Sequence, residues 1–181
     1  MIIPNTPKEI TNLESGSISC WFKFENVGGQ VLPILYLGSS TSGGSNYSMI
    51  IEVGHDRGNP DNRRLYLTSI IGRGKNFCVD SNNNLDQNRW YHYVAVVSES
   101  GNTIYIDGKE HHSRRYNLGS NSTYTTFFDD VPIKELLSIG YGRYSQEDPF
   151  YSFSGYLDEI KIYDRPLTSQ EVRALYEQGA K

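Results

Sequence analysis

The stretch Asn88 to Glu110, NRWYHYVAVVSESGNTIYIDGKE, places one histidine, His92, between two tyrosines and just after a tryptophan. An imidazole can act as general base only with a positioned partner within hydrogen-bond reach. No Ser, Cys or carboxylate near His92 in sequence supplies one, so a partner has to come from elsewhere in the fold. Asp158 and Glu159 are adjacent acids. On a strand, neighbouring side chains point to opposite faces, so these two cannot by themselves flank a glycosidic bond. A third group lies in GYGRYSQEDPFYSF, which offers Tyr141, Arg143, Tyr144, Phe150 and Tyr151. Aromatic faces there can stack on the apolar face of a sugar ring, with Arg143 bonding hydroxyls or a carboxylate. Two basic stretches, GHDRGNPDNRR and GRGKN, add His55, Arg57, Arg64, Arg73 and Lys75. They bracket one strand and so fall at its opposite ends unless it bends. For any single one of these residues, the plain alternative is an ordinary charged surface with aromatics anchoring loops.

The elements that must hold these residues are strands. Trp90 to Val97 is aromatic and β-branched with one alanine, a strand composition. Trp90, His92, Val94 and Val96 share one face and Tyr91, Tyr93, Ala95 and Val97 the other. Neither face is polar, which predicts cover on both sides and a packing role for His92. SISCWFKF alternates Ile18, Cys20, Phe22 and Phe24 against Ser19, Trp21 and Lys23. VLPILYLG is apolar throughout, with Pro33 marking an edge or bulge. YSMIIEVG, RRLYLTSII, KNFCVDS, LLSIGYG and SGYLDEIKIYD complete the strand set, with Leu65, Leu67 and Ile71 read as buried. Asp107-Gly108 is a type I′ hairpin signal after Thr103–Ile106. Ser113 to Asp130 is too long for a hairpin loop and stands as a candidate binding loop. One helix is expected: Thr168 and Glu171 form a capping box, Val172, Leu175 and Tyr176 share a face, and Gly179 is the stop. Many short strands and one late helix predict an all-β, antiparallel β-sandwich spanning residues 1–181 as a single domain.

Composition narrows the function classes. The chain has 181 residues and a formal net charge of -4, unlike a general nucleic-acid binder. Its 14 tyrosines suit a surface that binds sugars or proteins. No apolar run approaches the roughly 20 residues of a membrane span, and MIIPNTPKEI is not a signal peptide. Cys20 falls on the apolar parity of its strand and reads as a buried thiol; whether it pairs with Cys78 stays open. Asn46 and Asn121 match the glycosylation sequon.

Four stretches carry a family resemblance. GSISCWFKF resembles the early strand of laminin G-like, concanavalin A-like jelly-roll domains, with its aromatic-then-basic pattern. NRWYHYVAVV resembles their Trp-x-His-x-Ala-Val strand, and NTIYIDGKE the Tyr-x-Asp-Gly hairpin after it. FSGYLDEIKIYDRPLTSQEVRALYEQG resembles the closing strand and helix and is the most specific of the four. The resemblance spans most of the chain from about residue 15. It implies a jelly roll, with Trp90 and His92 as framework. It also implies a structural calcium held by Asp158 together with carbonyls from the early chain, against a hydrogen-bonded Asp158 without metal. Alternation sides Asp158 with Ile160 and Ile162, hence partly buried. The usual first hairpin of the family is cut short, with MIIP as its remnant, which suggests an excised domain of a larger secreted or cell-surface protein. The folds resembled include glycosidases whose carboxylates follow Glu-x-Asp-x-Glu spacing on one strand; no such run occurs here. The expected function is therefore non-catalytic glycan or polysaccharide recognition, with Arg143, Tyr144, Tyr151, Arg57 and Arg73 as ligand residues. A protein-binding adhesion module is the alternative, and a glycosidase a third.

Overall fold

The computed structural model describes residues 1–26, 28, 30–41, 47–54, 61–72, 76–143 and 149–179. In chain order the elements are β1 (Ile2–Ile3), α1 (Lys8–Thr11), β2 (Gly16–Phe24), β3 (Leu32–Gly38), β4 (Ser48–Val53), β5 (Leu65–Ile70), β6 (Phe77–Asp80) and β7 (Tyr91–Ser98). There follow β8 (Gly101–Ile106), β9 (Lys109–Glu110), β10 (Arg115–Asn117), β11 (Leu136–Ile139), β12 (Tyr141–Gly142), β13 (Tyr151–Ser152), β14 (Gly155–Tyr163) and α2 (Ser169–Gly179). A seven-stranded antiparallel sheet runs β1-β11-β3-β4-β5-β6-β10, and a five-stranded one β14-β2-β7-β8-β9. The antiparallel β-sandwich with one late helix is the fold expected from the strand pattern.

The core lies between the sheets and follows the predicted parity. Ile18, Cys20, Phe22 and Phe24 of β2 and Tyr91, Tyr93, Ala95 and Val97 of β7 meet Leu35, Leu37, Met49, Ile51, Leu65, Leu67 and Val79. The opposite parity of β7, Val94 and Val96, is covered by Leu167, Val172 and Leu175 beside and within α2. This explains why both faces of the strand are apolar. Asp107 and Gly108 take φ of 52° and 72°, as the turn requires.

The capping box forms as read. Thr168 Oγ1 accepts from the Glu171 amide at 3.2 Å, and Glu171 Oε2 accepts from the Thr168 amide at 2.9 Å. Arg165, through a side-chain hydrogen bond, and Thr168 hold the Glu171 carboxyl down at about 2. Thr168→Ala is expected to cost about 1 kcal/mol of stability in a denaturant titration, the usual loss for a removed N-cap.

Several expectations need correction. Pro33 marks a bulge, between Pro33 and Leu35, but not an edge, because β3 lies between β11 and β4. The loop from Ser113 to Asp130 is framework over much of its length. Within it, β10 extends the seven-stranded sheet, Phe127 and Phe128 are fully buried, and the Asn102 amide donates to the Asn121 and Tyr124 carbonyls at 3.1 and 2.8 Å. The short helix α1 was not expected. Both cysteines are free and buried. Burial pushes the Cys20 thiol up to about 12 and the Cys78 thiol to about 11.

Candidate functional site

The outer face of the seven-stranded sheet is where polar chemistry collects. Cross-strand register aligns Ser138, Tyr36, Ile50, Thr68, Cys78 and Asn117 in one row. The next row is Pro33, Glu52, Tyr66, Asp80 and Arg115. Tyr36, Glu52, Tyr66, Thr68, Asp80 and Ser138 are buried although they point away from the core. Burying polar groups is costly unless they are hydrogen-bonded, and Asp80 and Tyr66 meet that demand. Asp80 Oδ2 accepts from Arg115 Nε at 3.1 Å, Arg115 Nη2 at 2.9 Å and Asn117 Nδ2 at 2.7 Å. Asn62 Nδ2 donates to the Tyr66 hydroxyl at 3.1 Å. Burial raises the Tyr66 pKa, and the hydrogen bond from Asn62 restrains the rise.

One wall of this face is aromatic. The paired strands β12 and β13 lie against β3, and a Cβ at Gly142 would sit 2.7 Å from Tyr36 Cβ, so only glycine permits the approach. Tyr141 and Phe150 stack with centroids 4.9 Å apart and planes 9° apart, and Phe150 meets Tyr36 edge-on. Arg143, 2% exposed, holds its guanidinium 5.2 Å from the Phe150 centroid. Burial raises the Tyr36 pKa and the adjacent Arg143 restrains it. Glu135 pins the start of the β3–β4 connection by accepting from the Ser40 amide at 3.0 Å and the Ser40 hydroxyl at 2.9 Å. A guanidinium braced on aromatic rings, facing a floor of carboxylates, hydroxyls and amides, can recognise a polyol or a carboxylate by directional hydrogen bonds.

Of the predicted ligand residues, Arg143 and Tyr151 come together here, with Tyr151 packed against the Tyr36 and Ile50 cluster. Tyr144, Arg57 and Arg73 lie outside the described residues, as do His55 and Lys75. The floor residues Tyr36, Glu52, Tyr66 and Asp80 were missed. Glu52 and Asp80 also form a carboxylate pair, on two strands rather than on one with Glu-x-Asp-x-Glu spacing. They lie one strand apart on each side of Tyr66, which sets their backbones roughly 9.5 Å apart from the spacing of two strands. Asp80 is engaged by Arg115 and Asn117.

His92 does find a partner from elsewhere: Ser19 Oγ lies 3.0 Å from its Nε2. The pair is framework. Ser19 and His92 are 2% and 1% exposed, and His92 sits 5.1 Å from the Trp21 ring and 6.1 Å from Tyr176 of α2. Burial pulls the His92 pKa down to about 4.

The structure places Asp158 differently from the alternation that predicted its burial. A bulge between Asp158 and Lys161, with Glu159 at φ 48°, breaks the alternation. Asp158 therefore pairs with Trp21 on the outer face and is exposed, while Ile160 and Ile162 pack inward. Its Oδ1 accepts from the Glu159 amide at 2.8 Å. Among the described residues no group of three or more His, Cys, Asp or Glu could hold a metal ion. Melting temperatures in calcium and in chelator are expected to coincide. A calcium-dependent rise lost in Asp158→Ala would reinstate the ion.

The concanavalin A-like lectin/glucanases superfamily matches residues 3–173. The chain belongs to that superfamily. No curated protein matches it in sequence. Among solved structures it is similar to the CBM40 of the Ruminococcus gnavus IT-sialidase bound to α2,3 sialyllactose, with TM-score 0.73 and 13% identity over 97% of this chain and 92% of that one. The leech intramolecular trans-sialidase has TM-score 0.71 and 15% identity over 96% of this chain and 25% of that one. Domain 4 of AbnA, a GH43 extracellular arabinanase from Geobacillus stearothermophilus in complex with arabinotriose, has TM-score 0.54 and 20% identity over 90% and 66%. At these identities the likeness establishes the jelly-roll fold of this superfamily member. No helix of the described residues is long and apolar enough to cross a membrane.

Proposed function

We propose that this domain is a non-catalytic carbohydrate-binding module of an extracellular or cell-surface protein, with its glycan site on the outer face of the seven-stranded sheet. One observation carries the reading. That face buries Glu52, Tyr66, Thr68 and Asp80 beside a wall of Tyr36, Arg143 and Phe150, where a merely structural face would be apolar or solvated. Sugars demand this mixture, since each ring offers one apolar face and a rim of hydroxyls. The similar structures bound to sialyllactose and in complex with arabinotriose support the ligand class. Arg143 is the polar clamp and Tyr151 a flanking aromatic, with Tyr144, Arg57 and Arg73 as further ligand residues. Non-catalysis is supported by Asp80 being held by Arg115 and Asn117 and by the burial of Ser19 and His92 under α2.

The test is a glycan array that includes sialyllactose and arabino-oligosaccharides, followed by titration of the best hit. Tyr151→Ala is expected to weaken that hit about fivefold while leaving the melting temperature within a few degrees, the loss of one aromatic contact. An empty array, or a hit unaffected by Tyr151→Ala and by changes at Glu52, would remove the site from this face. Capture of a protein ligand with no glycan hit would favour the adhesion reading.

A further inference from the structure

The opposite face of the molecule carries a second arrangement that the glycan reading does not use. On the outer side of the five-stranded sheet, Tyr156 of β14 pairs with Lys23 of β2. Phe22 pairs with Tyr91, so Trp90, one residue before β7, stands on the other side of Lys23. Helix α2 covers this face from Trp21 onward, with Tyr176 stacked on the Trp21 ring at 5.6 Å. Its last residue, Gly179, comes close enough that a Cβ there would lie 2.5 Å from Trp21 Nε1. The row Tyr156–Lys23–Trp90 is the next one along the sheet. Tyr156 is 53% exposed, and Trp90 is half-buried.

The rings lean together over the lysine. Their centroids are 6.2 Å apart and tilted by 50°, although their strands flank β2 on either side. Lys23 Nζ lies 4.5 Å from the Tyr156 centroid and 5.6 Å from that of Trp90. Among the described residues no carboxylate lies within salt-bridge distance of this ammonium: Asp107 pairs with Arg89 and Glu159 with Lys161, and Asp158 stands in the neighbouring Trp21 row. A cation–π hold on a half-buried surface lysine is weak, and a hydrogen-bonded anion outcompetes it. Two aromatic faces for a ring and one ammonium for an anion make a compact binding element.

We propose that the Tyr156–Lys23–Trp90 row is a second ligand site, for an anionic polysaccharide, with a sugar ring against Trp90 and Tyr156 and its carboxylate or sulfate on Lys23. Charge complementarity selects the anionic class over neutral glycans. The site stands on the sheet opposite the Arg143 face, so either can fail without the other.

Intrinsic fluorescence reads the site selectively. The chain has two tryptophans, and Trp21 is 3% exposed beneath Tyr176. The full chain is titrated with polygalacturonate, heparin and dextran, which separate carboxylate, sulfate and neutral sources. The expected result is a saturable change in emission with polygalacturonate or heparin and none with dextran. Lys23→Met, which keeps the stem, and Tyr156→Ala should each weaken it at least fivefold. Lys23→Met should also flatten its dependence on NaCl, and Lys23→Arg should retain binding. Arg143→Ala should leave the response unchanged. Melting curves verify that each variant is folded. No response to either anionic polymer, an equal response to dextran, or a response indifferent to Lys23→Met would overturn the site. So would a response to phosphatidylserine vesicles alone, which would make the row a membrane contact.

Discussion

Lowering the pH from 7 to 4 is expected to remove about 2 kcal/mol of folding stability through His92 alone. The imidazole is 1% exposed, between Trp21 and Tyr176, and burial lowers its pKa from 6.5 to about 4. Glu159 opposes that shift and Lys161 adds to it. The native state therefore keeps His92 neutral where the unfolded chain already binds a proton. Stability from this group is complete above pH 6.5, falls as pH drops through the window, and is flat below about 4. The full interval corresponds to about 3 kcal/mol, and partial rehydration of the charged ring reduces it to roughly 2. Among the described residues, His92 Nδ1 has no hydrogen-bond partner, so a proton added there gains no acceptor. Urea titrations at pH 7, 5.5 and 4.5 measure the slope. His92→Phe should remove most of the difference between pH 7 and 4.5, whatever it does to stability at pH 7. An unchanged slope in that variant would show that the histidine does not titrate with folding.

The same histidine shows how far strand periodicity carries. Alternation along NRWYHYVAVV puts His92 on a covered face, and the structure adds only the identity of the cover, α2. Parity is local, since each residue needs only its two neighbours to be assigned a side. What lies across a strand is not local. Glu52 sits in the apolar run SMIIEV and Asp80 closes FCVD, and each looks like a lapse in an otherwise apolar strand. Only the register Glu52–Tyr66–Asp80 turns them into a floor, and that register joins segments separated by loops. A charged residue inside a short apolar strand was the available signal. The expected burial of Asp158 failed for a related reason. Glu159 enters the left-handed region at φ 48°, and that bulge reverses the alternation on which the reading of a buried Asp158 rested. Phe127 and Phe128 were hidden differently, as two apolar residues in a polar loop without periodicity to mark them as core.

Arg143→Ala is expected to weaken glycan binding at least tenfold, the largest loss of any single substitution on the Arg143 face. Its side chain is 2% exposed, yet it follows the short strand β12 and stands where the aromatic wall meets the polar floor. Phe150 lies 5.2 Å from the guanidinium and Tyr36 borders it, so the fork is held before any ligand arrives. Preorganisation of this kind spares the ordering cost of a long side chain on binding. A charge-assisted hydrogen bond is worth about 1.5–3 kcal/mol, which is a tenfold to hundredfold change in affinity. Truncation also leaves space beside Phe150, so a drop in melting temperature is expected as well, and affinity has to be expressed per folded molecule. Arg143→Lys separates charge from geometry. The ammonium keeps the charge but cannot present two parallel N–H groups. If the ligand group is a carboxylate read by the fork, Lys should recover only part of the loss, and acidic glycans should lose more than neutral ones in both variants. Equal losses for acidic and neutral glycans would assign Arg143 to hydroxyl recognition. Unchanged affinity in a folded Arg143→Ala variant would reduce it to a brace for the wall and move recognition onto Glu52, Tyr66 and the adjoining loops.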